Sequence, residues 1–218
     1  MNKHSGSRRS TPTSGFLTRH PELVLAFVVA VKSLAVAQAT DGLRNPLIPV
    51  LLGAAAGLLL GAPALLLRSG WRLGALVLAD VLVSGLLLAD LMFYQWFDEL
   101  VPFRMASEAS QVSGVGESTL STFSPVQLLL FSDLVVLALL ALVLRGRMFA
   151  PVLRAPRSWT SAGVALVVSL AVLVAGGFDA GTRSLRERYS TAALSRSVGP
   201  VPYHLYDLAW SAAGPGEP

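Results

Sequence analysis

Five long apolar runs, separated by connections whose basic residues fall on alternate sides, constrain this chain more than any other feature. A helix needs roughly 17–25 apolar residues to cross the ~30 Å hydrocarbon core of a bilayer. The sequence predicts spans at Leu23–Ala39, Pro46–Leu67, Leu73–Phe93, Val126–Leu144 and Thr160–Phe178. Each must be helical, because hydrocarbon offers no partner to an open backbone. Composition agrees: 53% of the residues are hydrophobic and 14% charged, against about 25% charged in soluble domains.

The connections give an orientation. The leader carries Lys3, Arg8, Arg9 and Arg19, and the second connection Arg68 and Arg72. The fourth holds Arg145, Arg147, Arg154 and Arg157 with no acid. By contrast, Asp41 accompanies Arg44 in the first connection, and the third sets Asp98, Glu99, Glu108 and Glu117 against Arg104. Lys and Arg collect on the cytoplasmic side. The expectation is a multi-pass cell-membrane protein with its N-terminus in the cytoplasm and its C-terminus outside. The net charge of +4 reflects these flanking residues, which favour anionic headgroups, and not a nucleic-acid surface. With no cysteine, disulfides, cysteine-ligated zinc and iron–sulfur clusters are excluded. Ala35-Val36-Ala37 after an apolar stretch is similar to a signal-peptide cleavage site, but Lys32 interrupts that stretch and argues for a retained helix.

The expected organisation is a disordered cytoplasmic leader over 1–20, a five-helix transmembrane domain over 21–180 and an extracytoplasmic linker over 181–218. In the third connection Trp96, Phe97, Leu100 and Val101 share a helical face, which predicts an element lying in the outer interface and ended by Pro102. Thr182–Arg196 is weakly amphipathic and basic; it rests on headgroups or is an ordinary solvated helix. The fold class is therefore all-α: a polytopic bundle of five transmembrane helices with an outer interfacial helix.

Four ionisable residues fall within the spans: Lys32, Asp80, Asp90 and Asp133. A charge at the bilayer centre costs at least about 2.5–3.5 kcal/mol, so each needs a partner or water. Lys32 and Asp80 lie at depths that allow a pair, with Asp133 a second candidate partner, while Asp90 is near enough to the outer end to reach the interface. Such a group either fixes helix packing or forms a polar pocket or proton path. Gly53, Gly57 and Gly61 line one face of the second span, which allows close approach by a neighbouring helix or by a second copy of the chain. No catalytic set is visible. His4 and His20 lie in the leader, and His204 stands alone in the tail. No cluster has metal-ligand spacing, and no glycine-rich loop with a lysine could cradle a phosphate. No catalytic residue, metal or cofactor is expected.

Phe93-Tyr94-Gln95-Trp96-Phe97-Asp98-Glu99-Leu100, followed by Met105-Ala106-Ser107-Glu108-Ala109-Ser110-Gln111-Val112-Ser113-Gly114, resembles the outer loop of the lipoteichoic acid synthase family. Lys32 in the first span, Asn45-Pro46-Leu47 opening the second and Tyr203-His204-Leu205-Tyr206-Asp207 after the fifth extend the resemblance over roughly residues 22–210. It implies a bacterial cell-envelope protein in which five membrane helices precede an extracellular, sulfatase-like domain of the alkaline-phosphatase superfamily. In the family that domain carries a threonine nucleophile and manganese, and transfers glycerol phosphate from phosphatidylglycerol. None of those catalytic residues has a counterpart here, so the resemblance implies the membrane part alone, working with a catalytic domain that was lost, is encoded downstream or is supplied by a separate chain.

The expected role is to anchor, and to hold anionic lipid such as phosphatidylglycerol, or polymer, at the outer leaflet. The candidate lipid or headgroup residues are Lys32, Asp80, Trp96, Glu108, Gln111 and Ser113. Two other classes fit the same residues. One is a small transporter or channel component using Lys32, Asp80 and Asp133 as a relay. The other is a membrane scaffold, or homodimer, built on the glycine face.

Overall fold

A computed structural model describes residues 20–40, 46–103, 123–143, 159–186 and 191–213. The leader expected over 1–20 lies, apart from His20, outside the described residues, as do Glu108, Gln111 and Ser113.

Among the described residues the elements are helical, in the order α1 (Pro21–Thr40), α2 (Leu47–Gly61), α3 (Ser69–Phe97), α4 (Ser132–Val143), α5 (Trp159–Arg186), α6 (Thr191–Val198) and α7 (Pro200–Ala213). A 3-10 segment, Ala62–Leu66, extends α2, and another, Pro125–Phe131, leads into α4. Four helices are long and apolar enough to cross a membrane: Pro21–Thr40, Leu47–Leu66, Trp71–Phe97 and Trp159–Phe178. The fourth expected span is carried by a shorter apolar helix, Pro125–Leu139. Pro125 takes the start of that span into 3-10 geometry, with Ser124 and Gln127 forming a capping box around it.

The tightest packing joins α1 to α2, and glycine is the reason. A Cβ on Gly57 would sit 2.7 Å from Ala26 Cα, and one on Gly53 3.1 Å from Ala30 Cα. Gly61 faces Leu25 and Glu22. The glycine face of α2 is thus occupied within the chain, where small residues let two backbones meet. A second glycine device, not singled out in the sequence, is Gly176-Gly177 on α5. A Cβ at Gly176 would strike Leu52 of α2, and one at Gly177 the ring of Tyr206 on α7.

Helix α3 has 29 residues, about 44 Å at 1.5 Å per residue, so it overreaches a ~30 Å core. The stretch expected to form a separate interfacial helix begins as its last turn. Tyr94–Phe97 belongs to α3, and Asp98, in the left-handed conformation at φ 58°, ends it. Asp tolerates that conformation better than most residues. Leu100, expected on the interface face, is buried at 4% exposure.

The segment read as a linker is folded against the bundle. Gly199, at φ 86°, turns the chain between α6 and α7, and Pro200 opens α7 with its fixed φ. A side chain at Gly199 would press on Ser33 Oγ at 3.1 Å and Pro49 Cβ at 3.2 Å, so the turn needs glycine twice over. Val198, Pro200, Val201, Pro202 and Tyr203 are buried.

Candidate functional site

Among the described residues, three polar clusters interrupt the apolar packing. The central one joins three helices around Lys32. Its Nζ donates to Asp80 Oδ1 and Ser84 Oγ, both at 2.7 Å, and sits 2.8 Å from Asp133 Oδ2. Lys32 and Asp80 are 7% and 4% exposed. Ser84 spends its own hydrogen on backbone carbonyls, Asp80 at 2.8 Å and Leu130 at 3.3 Å, so it can only accept from Lys32. The cluster therefore uses all three ammonium hydrogens, and none is left for a headgroup. Helical spacing puts Asp80 and Ser84 on one face of α3. Ser84 is a member that sequence reasoning missed; its signal was the i, i+4 step from Asp80.

Lys32 and Asp133 also line a groove of about 570 Å³ between α1, α3 and the fourth span. The groove reaches Tyr94, Gln95 and Ser124. Its walls are mainly hydrocarbon, and Phe27, Val126 and Leu129 on its rim are exposed, as expected of side chains that meet lipid.

The second cluster ties down α7, and it corrects two expectations. Asp90 does not reach out to the interface: it is 0% exposed. His204 is not alone: its Nε2 lies 2.7 Å from Asp90 Oδ2. The other carboxyl oxygen accepts from the Val101 amide at 3.1 Å, so both oxygens of this buried group are partnered. Two more bonds hold α7. Asp207 accepts from the Phe103 amide, and the Tyr206 hydroxyl donates to the Leu173 carbonyl of α5. Burial pushes the Tyr206 phenol up to about 12, so it keeps its proton as a donor, and burial raises the Tyr203 phenol as well. His204, Tyr206 and Asp207 all come from the tail motif noted in the sequence.

The third cluster closes the opposite end, where α1 begins. Arg72 donates to Glu22 Oε2 at 3.1 Å, and His20 Nδ1 lies 3.0 Å from Glu22 Oε1. Arg72, counted in the sequence as a flanking charge, is buried at 4%, while Arg68 is exposed. The sequence reading did not anticipate the Glu22 pair.

Trp96 sits in the last turn of α3 at 60% exposure, beside a stacked Phe93–Phe97 pair with ring centroids 4.3 Å apart. Its amphipathic ring suits a membrane–water boundary. The candidates Lys32 and Asp80 are thus joined inside the bundle, and Trp96 stands apart at its far end. Among the described residues no group of three or more His, Asp or Glu side chains is placed to hold a metal ion.

The family model described as lipoteichoic acid synthase N-terminal domain matches residues 1–213. No curated protein and no solved structure matches the chain.

Proposed function

Because the chain belongs to the family of lipoteichoic acid synthase N-terminal domains, we propose that it is the membrane-anchoring domain of a phosphoglycerol transferase of that kind. In this reading it holds anionic lipid or polymer at the outer leaflet, beside a catalytic unit on this chain or another. The observation that carries it is the docking of α7. The helix is bonded to α3 and α5 and to the segment after α3 through His204, Tyr206 and Asp207. A unit adjoining α7 would thereby be kept at a set height over the bilayer, where positioning of reactants lowers the entropic barrier to reaction. Trp96 anchors the same end in the interface. Glu108, Gln111 and Ser113 are the proposed headgroup contacts, and Lys32 and Asp80 supply polarity inside the bundle.

Lipid retention tests this. The protein is purified from vesicles containing equal phosphatidylglycerol and phosphatidylcholine, and bound lipid is counted by native mass spectrometry. Several-fold enrichment of phosphatidylglycerol, reduced in Gln111→Ala, is the expected result. Equal retention of both lipids, unchanged in that variant, would remove the lipid-holding role and leave only anchoring.

A further inference from the structure

The Lys32 cluster carries an imbalance. The Lys32 amine meets two carboxyl groups, those of Asp80 and Asp133, and its three short contacts match the three donors of an ammonium. With both aspartates ionised the site would hold a net negative charge among helices that cross hydrocarbon, where uncompensated charge is expensive. The hydrogen bonds show the same deficit atom by atom. Asp80 Oδ2 and Asp133 Oδ1 are buried and have no partner, although buried carboxylate oxygens are normally satisfied. Both carboxyl groups sit against the one Lys32 Nζ, at 2.7 and 2.8 Å, so they share a single site. The charged groups acting on Asp80 are Lys32 on α1 and Asp133 on α4; the remaining polar neighbour is the neutral Ser84 on α3.

We propose that Asp80 and Asp133 form a proton-binding site, with one proton held between Asp80 Oδ2 and Asp133 Oδ1. That proton satisfies both orphaned oxygens at once and makes the cluster neutral, as two carboxyl groups in one site commonly do. It also fixes the fourth span to the bundle. Beyond Asp133, Val135, Val136, Leu139, Leu142 and Val143 are all exposed, so the polar tie and the preceding 3-10 turn hold this helix to α1 and α3. Releasing the proton sets two carboxylates against each other and loosens the tie. The groove lined by Asp133, Lys32, Tyr94, Gln95 and Ser124 gives the site a route for exchange. This inference rests on the membrane embedding alone and stands whether or not the chain holds anionic lipid.

Infrared spectroscopy of the wild-type protein in lipid bilayers tests it without a variant that must fold. A protonated carboxyl C=O band at neutral pH, shifting in D₂O and absent from Asp133→Asn and from Asp80→Asn, is expected. The Asp90→Asn protein should keep the band. In thermal melts the wild type should lose stability as pH rises through release of the proton, by up to tenfold in the folding equilibrium per pH unit. Asp133→Asn, a neutral mimic of the protonated state, should give a shallower profile than the wild type. A missing band at neutral pH would overturn the proposal. So would a band that survives both substitutions, or melts that follow sodium or potassium concentration and ignore pH.

Discussion

At the scale of single residues, Lys32 and Asp90 are partnered as burial in a bilayer requires. Lys32 has three acceptors within 2.8 Å, and Asp90 is satisfied at both oxygens. Removing one partner of such a group strands the rest. Lys32→Met should therefore cost on the order of 3–5 kcal/mol, seen as a large drop in melting temperature in detergent. The Lys32–Asp80 pair was legible in the sequence because a charge within a 20-residue apolar run has to find an opposite charge at similar depth. His204 was not legible as a partner of Asp90. The two are 114 positions apart, and nothing in the tail's composition says that it folds back. Ser84 was hidden for another reason: a serine in a transmembrane run usually bonds its own helix, and this one also accepts from Lys32.

At the scale of elements, glycine decides which helices touch. Gly57→Ala would place a Cβ 2.7 Å from Ala26 Cα and force α1 and α2 apart, at about 1–3 kcal/mol. Gly85→Ala on α3 meets nothing within 4 Å and should leave the melting temperature unchanged or slightly raised. A melt of the two variants side by side separates packing from helix propensity. The glycine spacing on α2 was plain in the sequence, but spacing alone could not choose between a helix of the same chain and a second copy. In the structure α1 fills that face. Helix α7 makes the second elemental prediction. Replacing His204 with Ala removes its bond to Asp90, so hydrogen exchange should rise across 200–213 while α1 and α2 stay protected. Uniform exchange across the chain would mean that α7 is not a separately docked element. The length of α3 explains why the interfacial helix was misread. Tyr94–Phe97 has the aromatic, amphipathic look of an interface element because it is the end of a helix longer than the bilayer core is thick.

At the scale of the whole molecule, the polar clusters sort by depth. Glu22 and Arg72 close the end where α1 starts, Lys32 with Asp80 and Asp133 occupies the middle, and Asp90 with His204 closes the other end. The apolar runs gave the helical class and the approximate span count, since hydrocarbon permits few alternatives. The tail's structure was out of reach, because the bonds that hold α7 run to distant elements and the apolar residues that pack both helices into the core, among them Leu194 and Val198 on α6 and Val201 on α7, are too few to announce a docked face. In the orientation that the basic flanks predict, the Glu22–Arg72 end is cytoplasmic and the Asp90–His204 end extracytoplasmic. A catalytic unit acting outside the cell needs α7 to be on the outer side, so the orientation of the bundle is the central claim. The absence of native cysteine makes the measurement direct. Single-cysteine proteins, Ser211→Cys in α7 and Ser69→Cys at the start of α3, are treated in intact cells with a membrane-impermeant maleimide. The account predicts that Ser211→Cys is labelled at once and Ser69→Cys only after permeabilisation; the reverse pattern would contradict it.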